Sequence, residues 1–279
     1  MKQRIITAVA GLAVLLAVLF LYDTVVLNIT IAIIIAIAIY ELLKACGAFS
    51  APVAIPAILF GAAAPFVDAE TTKKFLPVIC LLFVTILFCY LLKEHKHFNA
   101  EKIGFVFFFT VAVTFSTNCF VYSRDIFGVT TGLYVALLTL VGAWLNDTGA
   151  YFGGMLWGKH KLAPVISPKK TIEGFVSGII VSIISQIGFT VLFVWMADYM
   201  YGITVSADYF RVALVGPFVA LISVLGDLSA SAIKRQYGIK DFGNIMPGHG
   251  GVMDRFDSVL TTLPLIYNIM VYYPLITIG

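Results

Sequence analysis

The chain has 279 residues, of which 61% are hydrophobic and only 12% charged, with a formal net charge of +3. A soluble domain carries about a quarter charged residues, so this chain cannot cover a large water-facing surface. A bilayer is the solvent that fits, and a sizeable soluble domain is excluded.

A membrane-spanning helix needs about 20 mostly apolar residues. Nine apolar segments stand out, at about 5–21, 25–40, 53–67, 75–92, 103–121, 132–150, 174–196, 211–230 and 258–276. The first follows Lys2 and Arg4 and resembles a signal peptide, but no small-residue cleavage site follows it. It is expected to remain as an uncleaved helix. The third is short and contains Pro56 and Pro65. Runs such as Ile31 to Ile39 lack the alternation of membrane-barrel strands. The expected fold is therefore all-α: a polytopic integral membrane helical bundle of about nine transmembrane helices. One membrane domain should cover 1–279, with N-terminal helices in 1–130 and catalytic helices and cytoplasmic loops in 131–279. Cys46, Cys80, Cys89 and Cys119 have no metal-type or disulfide spacing and read as small buried apolar residues.

Orientation follows from the bias of Lys and Arg towards the cytoplasm. With a cytoplasmic N-terminus, 14 of the 18 basic residues lie on the cytoplasmic side, leaving Lys73, Lys74, Arg124 and Arg211 opposite. The split favours an odd number of helices. It also places the two longest polar connections, 151–173 and 231–257, in the cytoplasm.

Ionisable groups in membrane helices are costly and default to a functional hypothesis. Asp147 and Asp227 are expected near the cytoplasmic ends of the sixth and eighth helices. A carboxylate at a helix end can also be a simple solvated or capping group. Asp227, Ser231 and Lys234 are spaced i, i+4 and i+7, which puts them on one helix face. Asp254 and Asp257, spaced i, i+3 at the start of the ninth helix, also face one way. They would complement the helix dipole, but convergence with Asp227 points to a hard-cation site. Mg²⁺ takes oxygen ligands, commonly one or two carboxylates plus substrate phosphates. Lys234, Arg235, Lys240 and Arg255 lie in the same stretch, and Lys169 and Lys170 in the other long loop. Single cytoplasmic basic residues are often topology signals or headgroup contacts. Together with several Asp and a Gly-rich backbone, they are what a polyphosphate and Mg²⁺ require. His249, between glycines, reads equally as a phosphate ligand, a proton carrier or a turn residue. Walker, GxGxxG and HExxH motifs are absent, no nucleic-acid partner is expected, and His and Cys are too sparse there for zinc.

The stretch Ser231 to Asp257 resembles the signature of the phosphatidate cytidylyltransferases, or CDP-diacylglycerol synthases. It reads S-x-I-K-R, four residues, K-D, then P-G-H-G-G-x-x-D-R-x-D. A second block is similar to the same family: Asn146-Asp147-Thr-Gly-Ala-Tyr-Phe-Gly-Gly, Gly158 to Pro164, and Ile166-Ser167-Pro-Lys169-Lys170-Thr171-Ile-Glu173-Gly174. The resemblance is strongest over about 142–260; upstream only the hydrophobic character agrees.

The resemblance implies transfer of CMP from CTP to phosphatidic acid, giving CDP-diacylglycerol and pyrophosphate. It also implies Mg²⁺ and a second, monovalent cation such as K⁺, a bacterial inner-membrane location and a homodimer. On this reading Asp147, Asp227, Asp254 and Asp257 are metal residues. Lys234, Arg235, Lys240 and Arg255 contact phosphates, and Ser167, Lys169 and Lys170 act on CTP from the facing loop. Ser231, Asp241, His249, Gly250 and Gly251 shape the substrate pocket. The lipid phosphate is itself the nucleophile, since its second pKa lies near 6, and no catalytic triad is needed. The D-x-x-D-G-x-x-A-R pattern of CDP-alcohol phosphotransferases does not occur. A CTP-using lipid kinase and a transporter with midplane aspartates are the remaining rivals.

Overall fold

The computed structural model describes residues 2–279 apart from His97, Pro247 and His249; at 2–6, 8, 69 and 73 it describes the backbone alone. Among the described residues there are nine α-helices: α1 (Lys2–Phe20), α2 (Val25–Ala45), α3 (Ala51–Ala63), α4 (Ala69–Glu94), α5 (Ala100–Phe127), α6 (Val129–Trp157), α7 (Ile172–Tyr201), α8 (Tyr209–Gln236) and α9 (Met253–Tyr272). Six of them hold a stretch long and apolar enough to cross a membrane: α2, α4, α5, α6, α7 and α8. α7 carries large exposed apolar side chains along its length, Ile180, Ile184, Leu192 and Trp195 among them. In water such a face would be a liability; in lipid it is the ordinary exterior.

Two short antiparallel pairs depart from the all-helical expectation. β1 (Lys161–Ala163) pairs with β2 (Ser167–Thr171), and β3 (Val205–Ala207) with β4 (Ile276–Ile278). They lie between or at the very end of the apolar segments, in stretches too short to give a strand pattern. The cysteines also divide: Cys46 and Cys119 are buried, Cys80 is half-buried and Cys89 exposed. A thiol is apolar enough to face lipid as readily as protein.

The chain forms two compact units, one of residues 1–125 and 236–255, the other of 126–235 and 256–279. In the first, α2 and α3 pack closely, and Ile35, Ile39 and Thr114 leave no room for a side chain at Gly61. The turn before α2 is fixed to α5. Tyr22 donates to the Phe120 carbonyl at 3.0 Å, and Arg124 donates to Asn28 Oδ1 at 2.9 Å and to the Thr24 carbonyl at 3.1 Å.

The second unit is organised by glycine. Gly128, with φ +80°, breaks the chain between α5 and α6. Gly149 and Gly153 on α6 face Gly174 and Gly178 on α7, each pair spaced i, i+4. A Cβ at Gly149 would lie 2.6 Å from Val181 Cβ, and one at Gly174 2.6 Å from the Ala150 carbonyl. Small residues at this spacing let membrane helices approach backbone to backbone. Polar side chains finish the seam. Ser182 donates to the Gly216 carbonyl at 3.1 Å, Gln186 to Ser182 at 2.8 Å, and Tyr134 OH lies 2.9 Å from Thr190 Oγ1.

Candidate active site

The Gly seam carries α6 beyond the end of its hydrophobic run. The apolar pattern ends near residue 150, but the helix continues to Trp157; α8 likewise continues past 230 to Gln236. Asp147 and Asp227 therefore sit about two to three turns inside their helices, not at the ends where hydropathy puts them. Backbone hydrogen bonding and close packing persist after apolar composition stops.

In the second unit these two carboxylates lie within reach of each other's charge, and Asp257 on α9 feels both. Asp147 Oδ2 accepts from Ser258 Oγ at 3.1 Å. Asp227 Oδ1 accepts from Ser231 Oγ at 3.3 Å, as the i, i+4 spacing predicts. Asp257 Oδ1 accepts the N–H of Ser258 at 2.8 Å and lies in the field of Lys234. α8 and α9 meet closely here, for a Cβ at Gly226 would lie 2.7 Å from the Asp257 carbonyl. Behind Asp147, buried Asn146 donates to Ser223 at 3.2 Å.

Lys170 reaches this cluster from β2, its Nζ 2.5 Å from Asp227 Oδ2. Of the two neighbouring lysines on β2, Lys170 is half-buried against Asp227 while Lys169 is exposed. Ser167, half-buried, pairs with Ala163 across the hairpin. Thr171 then caps α7, accepting the Gly174 N–H at 3.1 Å. Glu173 holds the start of the hairpin through the Lys159 N–H at 3.0 Å and the His160 ring at 2.6 Å.

The first unit holds the other half of the signature stretch. Asp254 is 8% exposed, and its Oδ2 accepts the N–H of Phe242 at 2.8 Å and of Gly251 at 3.0 Å. It anchors the loop before α9. Met246 donates to the Gly250 carbonyl at 2.9 Å, and Gly248 and Gly250, with φ +80° and +85°, make the turn that only glycine enters freely. Lys240, Asp241 and Arg255 are exposed, as is Arg235 at the end of α8; Lys234 is half-buried. His249 lies outside the described residues. One buried carboxylate at this loop escaped the sequence reading, Glu41 of α2, which accepts the N–H groups of Val252 and Met253. Its signal was present, a lone acid in a highly apolar run, but the family motifs lie a hundred residues downstream.

The donor set is all oxygen, the chemistry a hard cation takes. Among the described residues no three His, Cys, Asp or Glu side chains form a ready-made metal cage. Mg²⁺ rarely uses one; it takes one or two carboxylates, with water and substrate phosphates completing the shell. Asp147, Asp227 and Asp257 outnumber Lys170 and Lys234, so the cluster fits a cation.

Fold and site together define a polytopic helical membrane protein with a half-buried carboxylate–lysine cluster. The Cytidylyltransferase family model matches residues 2–273, nearly the whole chain, which therefore belongs to that family. The chain is 34% identical over 285 residues to a phosphatidate cytidylyltransferase of Bacillus subtilis, covering 98% of each sequence. It is 34% identical to one of Staphylococcus haemolyticus, over 97% of this chain and 99% of that one. A Staphylococcus saprophyticus protein of the same name is 41% identical over 140 residues, half of each chain.

Proposed function

We propose that the protein transfers CMP from CTP to phosphatidic acid, releasing pyrophosphate. The observation that carries this reading is the cluster of Asp147, Asp227 and Asp257 against Lys170, in a chain whose relatives bear that enzyme's name over nearly full length. The site offers charge and position, and no nucleophile of its own. An ionised phosphate monoester needs none, and direct in-line attack on the α-phosphorus is the route that asks only for positioning and charge stabilisation.

Asp147, Asp227 and Asp257 would hold Mg²⁺, with a second cation such as K⁺ as a further occupant. When bound, the ion neutralises the phosphate charge that develops as pyrophosphate leaves. Lys170 holds Asp227 in place and supplies positive charge for CTP phosphates. Ser231 and Ser258 orient the carboxylates they contact, and Lys234 balances Asp257. We assign Arg235, Lys240, Arg255 and the backbone of Gly250 and Gly251 to substrate phosphates, together with Ser167 and Lys169 of the hairpin, and Asp241 to the wall of the substrate pocket. Asp254, a metal residue by its motif, instead acts on the loop through Phe242 and Gly251.

On this reading the chain makes about nine crossings of the bacterial cytoplasmic membrane, the six long apolar helices among them, with the N-terminus and the active site facing the cytoplasm. The distribution of Lys and Arg supports this. A homodimer is the proposed assembly. The acyl chains stay in the bilayer, since drawing them into water is costly.

The test uses purified protein in detergent with phosphatidic acid and Mg²⁺, and CTP labelled separately at the α- and γ-phosphorus. The α-label is expected in lipid and the γ-label in pyrophosphate. Entry of the γ-label into lipid would make the protein a lipid kinase and overturn the proposal.

A further inference from the structure

Glu41 lies near the end of α2, in an apolar helix long enough to cross a membrane, and is 2% exposed. Burying an ionisable side chain there is costly, so its partners are informative. Oε1 accepts the N–H of Val252 at 3.1 Å, and Oε2 accepts that of Met253 at 2.9 Å. These amides open α9 and have no carbonyl in a preceding turn to bond. A carboxylate there also complements the positive end of the helix dipole. From 211 residues away, Glu41 does what a local Ser or Asp cap does elsewhere.

The loop before α9 is shaped around the same carboxylate. A Cβ on Gly243 would lie 2.6 Å from Glu41 Cδ, and so would one on Gly251. Neither glycine has positive φ. Space for the carboxylate, not backbone freedom, excludes a side chain at both positions. Asp254 ties down the same loop through the N–H groups of Phe242 and Gly251. The segment 242–253 is thus bound at both ends to buried acids.

We infer that Glu41 is a positioning residue of the transferase reaction: its carboxylate fixes the Phe242–Val252 loop and the first turn of α9 in the form that meets substrate phosphates. This rests on the assignment of that loop under the proposed function. Glu41 contacts backbone amides and no reacting group, so it acts through the loop. The two-pronged contact also dictates which replacements fail. Gln has one acceptor oxygen and turns its NH₂ against an amide N–H; Asp is a methylene too short.

The experiment uses the full chain in detergent, α-labelled CTP and phosphatidic acid. It compares kcat, both KM values and the thermal midpoint for wild type, Glu41→Gln, Glu41→Ala, Gly251→Ala and the Glu41→Ala/Gly251→Ala pair. Misplacement of about 1 Å costs on the order of 100-fold in rate, so Glu41→Gln should lower kcat by about that factor with both KM values little changed. Gly251→Ala should do the same alone, yet add little once Glu41 is Ala, because the clash is then gone. Trypsin should cut faster at Lys240 in Glu41→Gln than in wild type. A wild-type kcat in Glu41→Gln, additive losses in the pair, or a lowered midpoint with normal kcat per folded molecule would each overturn the inference. If wild type puts no α-label into lipid, the functional reading fails instead; the trypsin comparison still tests whether Glu41 orders the loop, and equal cutting refutes that.

Discussion

The two units hold their acids under opposite conditions, buried in the first and half-buried in the second. In the first, Glu41 and Asp254 are satisfied by backbone N–H groups: four amides of one loop and one helix start. In the second, Asp147, Asp227 and Asp257 share one field, relieved by two hydroxyls, one amide and two lysines. An amide-bound carboxylate shapes chain. A carboxylate held beside other carboxylates stores negative charge that a cation or a basic side chain must offset, because like charges in a poorly solvated site repel strongly. The same residue type therefore serves architecture in one unit and electrostatics in the other.

The largest expected effect falls on the second group. Asp227 meets Lys170 with one oxygen and Ser231 with the other. Asp227→Asn removes the charge both lysine and cation require while preserving size. Turnover should fall by about 10³-fold, the upper range for losing one preorganised electrostatic contact. Yield and thermal midpoint should remain close to wild type. Activity within tenfold of wild type would remove Asp227 from the centre of the site.

A sharper division comes from the Mg²⁺ requirement. Asp257→Asn should raise the Mg²⁺ concentration for half-maximal activity, and high Mg²⁺ should restore part of the rate. Asp254→Asn should lower the rate at every Mg²⁺ concentration and leave the half-maximal point unmoved, because its Oδ2 is committed to Phe242 and Gly251. Equal shifts in both titrations would erase the distinction between the units and return Asp254 to the metal residues.

The sequence made the site's ingredients visible and hid their partition. Charge scarcity, the apolar runs and the signature stretch make membrane helices and the acidic and basic residues plain. The Asp227–Ser231 contact follows from helical periodicity alone. Asp254 and Asp257, three residues apart, look alike in sequence. Their difference lies in tertiary hydrogen bonds to Phe242 and Gly251 on one side, and in the field of Asp147 and Asp227 on the other. Lys169 and Lys170 were likewise indistinguishable until the fold set one against Asp227. Glu41 lay furthest from view, since only the folded chain brings α2 to the start of α9. The helix ends were misread because hydropathy reports lipid contact, whereas α6 extends on glycine packing.

That packing gives a smaller, purely structural effect. Gly149→Leu forces a side chain where a Cβ already lies 2.6 Å from Val181 Cβ. Overpacking costs about 1–3 kcal/mol, so the thermal midpoint in detergent should drop clearly. Residual activity should follow the folded fraction, since Gly149 bears no charge. Unchanged stability would mean that α6 and α7 are not held by their glycine faces.

The smallest effect tests where charge matters at all. Lys74 in the first unit is exposed, with its Nζ 5.5 Å from the Phe75 ring centroid. It belongs to the minority of basic residues placed opposite the cytoplasm by the charge bias. Lys74→Ala therefore removes a cation that neither the loop nor the carboxylate cluster uses. Exposed substitutions of this kind change free energy by about 0.5 kcal/mol at most, so kcat/KM should stay within about twofold of wild type. A loss approaching that of Asp227→Asn would show that positive charge from the opposite side reaches the chemistry, and the proposed orientation of the helices would have to be abandoned.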